Sequence, residues 1–95
     1  MVFAMMPPRW TVVVGDKARK SIAQLDLTVQ KRITRFFVER LEPCEEPEKL
    51  GKALTGKLQG NWRFRVGDYR IIARIERNRL VILVVEVDHR SDVYR

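Results

Sequence analysis

From residue 57 onward the chain carries its positive charge almost entirely as arginine. Lys57, Arg63, Arg65, Arg70, Arg74, Arg77, Arg79, Arg90 and Arg95 are eight arginines against one lysine, whereas the first 56 residues hold five of each. A guanidinium is a planar fork that grips phosphate with two parallel hydrogen bonds, while an ammonium is a hydrated point charge that serves solubility equally well. The spacing adds to the bias. Trp62 to Val66 and Tyr69 to Glu76 alternate between apolar and mostly basic residues around Gly67-Asp68, which reads as a hairpin with a two-residue turn. Counting outward from that turn, Val66 faces Tyr69, Arg65 faces Arg70, Phe64 faces Ile71 and Arg63 faces Ile72. Alternation then puts Trp62, Phe64, Val66, Tyr69 and Ile71 on one face and Arg63, Arg65, Arg70 and Arg74 on the other. Like charges directly opposite cost about 0.2–1 kcal/mol, so Arg65 across from Arg70 is a poor choice for stability alone. An anion between them removes the penalty. The plainer reading, a solvated strand face whose arginines meet Asp68, Glu76 or Glu86, suits any one of these residues better than it suits the cluster.

His89, Arg90 and Tyr94 follow the last apolar run, where a loop can return them over the arginine face. A histidine in that place is more often a surface residue than a base, and a tyrosine there often anchors a tail on the core. One cysteine, Cys44, and one histidine supply neither an internal disulfide nor a structural zinc site. The chain reads as cytoplasmic, free of metal and without a cofactor.

The elements that must hold these residues belong to one small domain of 95 residues, 45% hydrophobic and 33% charged, too apolar for disorder and too charged for a membrane protein. The longest apolar run, Leu80 to Val85, is far short of the roughly 20 residues that span a bilayer. Residues 1–8 read as an N-terminal extension and 9–95 as the domain. Trp10 to Val14 is rich in β-branched residues and closes on Gly15, as a first strand does. Asp16 stands at an N-cap position before Ala18, Ile22 and Leu25, and Thr28 can cap a second helix with Val29, Ile33, Phe36 or Phe37, and Leu41 on its apolar stripe. Pro43 ends that helix. Residues 42–61 read as a loop. Trp62–Val66, Tyr69–Glu76 and Leu80–Val87 then form an antiparallel meander, so the expected fold is α+β in the order β-α-α-β-β-β, with a helical hairpin covering one small sheet. A formal charge of +7 marks a partner that is a polyanion or an acidic protein.

Taken in order, Lys49-Leu50 through Leu54-Thr55-Gly56-Lys57-Leu58, then Trp62 to Ile72 with its Gly-Asp-Tyr-Arg turn, and finally Val87-Asp88-His89-Arg90 to Val93-Tyr94-Arg95, resemble the RelE family of toxins from toxin–antitoxin modules. The resemblance spans about residues 9–95. It implies a metal-independent endoribonuclease that enters the ribosomal A site and cuts messenger RNA there, the 2′-hydroxyl attacking the adjacent phosphate. It also implies an acidic, RelB-like cognate antitoxin that silences the enzyme, with operator DNA met only through that antitoxin. By this resemblance the catalytic set falls on Arg63, Arg65, Arg70, Arg90 and Tyr94, with Lys57 and Arg74 as RNA-binding residues. Arginine cannot act as a base near neutral pH, so Arg63 and Arg65 bind and polarise phosphate, Arg70 and Arg90 stabilise its developing charge, and acid–base work falls to Tyr94 or His89. The same superfamily includes ParE-like toxins, which poison DNA gyrase without cutting RNA. A plain RNA-binding module fits less well, because no aromatic on the basic face is placed to stack a base.

Overall fold

A computed structural model describes residues 9–89 of the chain. The β-rich start forms β1 (Thr11–Val14), followed at once by α1 (Asp16–Ala23) and α2 (Leu27–Phe36). Gly15, not Asp16, is the N-cap of α1, and Asp26, not Thr28, is that of α2; neither cap uses a side-chain bond. Asp16 instead lies in the first turn, where a negative charge meets the positive end of the helix dipole, and bonds Arg19 at 3.2 Å.

Past Phe36 the chain widens into a π turn, Phe37–Leu41, which explains how one apolar stripe survives so long. Ile33, Phe37 and Leu41 are all buried, each four residues after the last. Steps of four overshoot a 3.6-residue repeat by about 40° each, and the wider turn takes up that drift. The stripe therefore runs through Phe37, while Phe36 packs at its side on Phe64 with ring centroids 6.1 Å apart.

The segment expected to be a plain loop holds two 3-10 turns, Pro47–Leu50 and Gly56–Leu58, and a two-residue strand, β2 (Lys52–Ala53). Then come β3 (Trp62–Val66), β4 (Tyr69–Glu76) and β5 (Val81–His89). One five-stranded sheet results, ordered β1-β5-β4-β3-β2, antiparallel except for β1, which runs parallel to β5. Gly67 opens the β3–β4 turn at φ +59°, and Asp68 is not among the positive-φ residues, the II′ pattern that puts glycine first and matches strand twist. The register is the one counted from the sequence: Val66 with Tyr69, Arg65 with Arg70, Phe64 with Ile71 and Arg63 with Ile72.

The core lies between the helices and one face of the sheet. Trp10, Ala18, Ile33, Phe37, Leu41, Phe64, Ile71, Ala73, Ile82, Val84 and Val87 form a single buried cluster. On β5, Val84 and Val87 both point into it although they are three residues apart. The reason is a β-bulge: Ile72 pairs with Glu86, yet its neighbour Ala73 pairs with Val84, leaving Val85 as the extra residue. Strict alternation from Ile82 and Val84 would have sent Glu86 into the core. The bulge turns Glu86 and Asp88 to the opposite face instead.

Candidate nucleic-acid interface

The face of the sheet opposite the helices carries the arginines as a grid. One row across the strands reads Arg65, Arg70, Asp88, and the next reads Lys52, Arg63, Ile72, Glu86. Arg74 follows two residues further along β4 and is exposed. Ile72 is fully buried although it is on this face, as expected where the aliphatic stems of long neighbours lie across it.

Arg63 and Arg70 are half-buried. Among the described residues neither guanidinium, nor the Lys52 ammonium, makes an ion pair or a side-chain hydrogen bond, and the Nε of Arg70 is buried with no hydrogen-bond partner. Arg70 has Asp88 across from it and acts on the Glu86 charge, but Arg63 is partly desolvated with no ion pair among the described residues, which is costly and calls for an anion. Of the carboxylates that the plainer reading offered these arginines, Glu76 bonds Arg79 at 2.9 Å, and Glu86 meets Lys17 at 3.8 Å while also feeling the Arg70 charge. Arg65 is exposed and stands directly across from Arg70.

Lys52 and Lys49 are additions that the sequence did not single out. With Leu50, Gly51, Arg63 and Arg65 they line a groove of about 350 Å³ along the β2 edge, which contains no acidic residue. Gly51 makes the groove possible, because a Cβ there would lie 2.5 Å from the Arg63 carbonyl oxygen and 2.8 Å from the Phe64 ring. A strand of two residues is too short for periodicity to reveal; the clue available was a glycine just ahead of a lysine. Lys57, in the turn Gly56–Leu58, is exposed and is not part of the groove.

His89 departs from expectation. β5 runs on through it, so no loop returns it over the arginines; it pairs with Tyr69 on the other face, the two rings meeting edge to face at 5.0 Å. Arg90 and Tyr94 lie outside the described residues. The carboxyl groups on the arginine face form a pair. Glu86 is pushed above its usual range chiefly by its hydrogen bond with Asp88, then by partial burial and by the Asp88 charge, with Lys17 and Arg70 opposing the shift. Among the described residues no cluster of His, Cys, Asp and Glu fit to hold a metal is present, and no helix is long and apolar enough to cross a membrane.

Comparison with known proteins gives a consistent result. Residues 12–94 match the family model described as ParE toxin of type II toxin–antitoxin system, parDE. Toxin RelG of Mycobacterium tuberculosis is 31% identical over 86 residues, which cover 90% of this chain and 97% of that protein. A chain of the RelBE2 toxin–antitoxin complex from the same organism superposes with a TM-score of 0.78 at 29% identity, covering 90% of this chain and 100% of its own. The archaeal RelE–RelB complex of Pyrococcus horikoshii gives a TM-score of 0.67 at 27% identity over 86% of this chain and 96% of the other.

Proposed function

The chain belongs to the ParE toxin family of type II toxin–antitoxin systems, and so to the RelE/ParE superfamily, and on that premise we propose that it is a RelE-like messenger-RNA interferase acting in the ribosomal A site. The observation that carries this reading is the crowding of cations on one sheet face: half-buried Arg63 and Arg70 in adjacent rows, with exposed Arg65 beside them and exposed Lys52 at the edge. Arg63 and Arg65 grip the scissile phosphate, and Arg70 neutralises the charge that grows on its oxygens as the 2′-hydroxyl attacks. Arg90 joins Arg70 in that task and Tyr94 gives or takes a proton. Lys49 and Lys52 hold the phosphate of a flanking nucleotide, and Arg74 and Lys57 meet the RNA further out. No cofactor is needed for this chemistry.

Its partner is an acidic, RelB-like antitoxin that wraps the toxin and masks the arginines; operator DNA is met only through that antitoxin. The outer side of α2 offers the antitoxin a second seat, a groove of about 410 Å³ between Leu27 and Val38 with Lys31 and Arg35 on its rim.

The test is the chemistry of the cut ends. Programmed ribosomes treated with the protein should yield an upstream fragment ending in a 2′,3′-cyclic phosphate or 3′-phosphate and a downstream fragment beginning with a 5′-hydroxyl. Chelation should not stop the reaction at magnesium levels that keep ribosomes intact. A 5′-phosphate would mean attack by water, as metal-dependent nucleases perform it, and would overturn the mechanism. A second reading, that of a ParE-like toxin inhibiting DNA gyrase, predicts lost supercoiling activity with messenger left whole.

A further inference from the structure

The arginine face holds cations in abundance but needs a group able to take a proton from the attacking hydroxyl: guanidinium cannot do so, and His89 lies on the opposite face. We propose that Glu86, turned onto this face by the β5 bulge and backed by Asp88, is the general base of the cleavage, an inference that rests on the ribonuclease reading above. Three features of the fold support it. First, bulges recur beside active sites because they re-aim a side chain, and here one residue's insertion at Val85 converts a core position into a place on the arginine face. Secondly, Glu86 stands in the row of Lys52 and Arg63, with Ile72 between. Two strand spacings put its Cα about 10 Å from that of Arg63, a gap that the two side chains can close around a phosphate and its neighbouring ribose. The intervening Ile72 supplies an apolar floor without a competing donor. Thirdly, the groups around Glu86 tune it. Asp88 shares a hydrogen bond with it from the same strand, Arg70 acts from β4, and Lys17 at the start of α1 approaches to 3.8 Å.

In the step proposed, a Glu86 carboxylate oxygen takes the 2′-hydroxyl proton while the O–H electron pair so freed on the 2′-oxygen forms the new bond to phosphorus. The bond from phosphorus to the 5′-oxygen breaks with its pair on the oxygen, which takes a proton from solvent water. No oxidant or metal enters the balance.

The experiment is a pH–rate profile of messenger cleavage on programmed ribosomes for the full chain and three variants. Glu86→Gln should lower kcat at least a hundredfold, the scale of general-base catalysis, and abolish the fall in rate on the acid side. Asp88→Asn removes the partner that raises the Glu86 carboxyl, so it should move the acid limb to lower pH. Glu86→Asp should retain the limb at a reduced rate, and it serves in place of the glutamine variant if that one fails to fold by circular dichroism. Folded Glu86→Gln that cleaves within about threefold of the parent, or an acid limb unchanged in both Glu86→Gln and Asp88→Asn, removes Glu86 as the base while leaving the ribonuclease reading in place. A parent protein that never cuts removes both.

Discussion

At the scale of single residues, stability and activity should respond differently on the arginine face. Arg65 and Arg70 stand directly opposite, so either Arg65→Gln or Arg70→Gln relieves a repulsion; Arg70→Gln also loses the attraction to Glu86, so urea-unfolding stability should change by no more than about 1 kcal/mol in either variant. On the proposed mechanism cleavage should fall a hundredfold or more, because each guanidinium would meet charge that grows in the transition state. Loss of several kcal/mol, or an unchanged cleavage rate, would contradict the role. Arg70 also lowers the Glu86 carboxyl, so any residual activity of Arg70→Gln should show its acid limb at higher pH. The raised Glu86 carboxyl has a second consequence. The folded state binds its proton more readily than the unfolded chain, so between the usual value of 4.5 and the raised one, stability falls as pH rises. Glu86→Gln should flatten that segment of the stability–pH curve, measured by thermal melting. The arginines were legible in the sequence because type, parity and a recognisable turn all agreed. Glu86 was legible only as a spare carboxylate: a run of apolar residues interrupted once by an acid gives no hint that alternation slips at Val85.

At the scale of elements, local rules were most accurate where geometry leaves little choice. A two-residue turn with glycine first dictates the pairing on both sides, and the β3–β4 register followed from it residue by residue. Helix starts were less legible: aspartate and threonine are good caps, yet the backbone turns at Gly15 and Asp26 without any side-chain cap, so side-chain preference had no hold there. The choice between Phe36 and Phe37 depended on a π turn, which no single-residue preference encodes. The short strand β2 was invisible for want of length, and its attachment is the most fragile part of the site. Gly51→Ala would drive a Cβ to 2.5 Å from the Arg63 carbonyl, which backbone cannot yield cheaply. It should cost about 1–3 kcal/mol, the usual range for overpacking, and weaken RNA binding as Lys52 moves off its row. Lys52→Ala should weaken RNA binding without the loss of stability, and fluorescence titration with a short single-stranded RNA at several salt concentrations separates the two.

At the scale of the whole molecule, charge and shape divide the work between two sides. Helices cover one face of the sheet and the cations occupy the other, so an antitoxin that neutralises the toxin gains most by reaching both. A chain of net charge +7 should capture an acidic antitoxin faster at about 0.05 M than at about 0.5 M salt, since screening shortens from beyond to well within the width of the arginine patch. Equal association rates by stopped flow would argue against steering. The α2 groove gives an independent handle. Val38 is 55% exposed, so Val38→Asp should leave folding and cleavage intact while raising the antitoxin dissociation rate tenfold or more, the effect of losing one apolar anchor. Unchanged dissociation would remove α2 from the antitoxin interface.

The pairing of β1 with β5 carries a further meaning, one of timing. Thr11 lies in register with Val81 and its N–H donates to the Leu80 carbonyl, so the first strand must wait for β5. Closing so long a loop costs on the order of 4 kcal/mol of chain entropy before any sheet contact repays it, and topologies dominated by such distant pairings fold slowly. While the chain is still being synthesised, β4 lacks its central neighbour and the bulge that turns Glu86 outward does not exist. On the ribonuclease reading, this order of pairing would keep the toxin inert on the ribosome that makes it. A cognate antitoxin already present in the cell would meet a half-built sheet before it met a finished toxin.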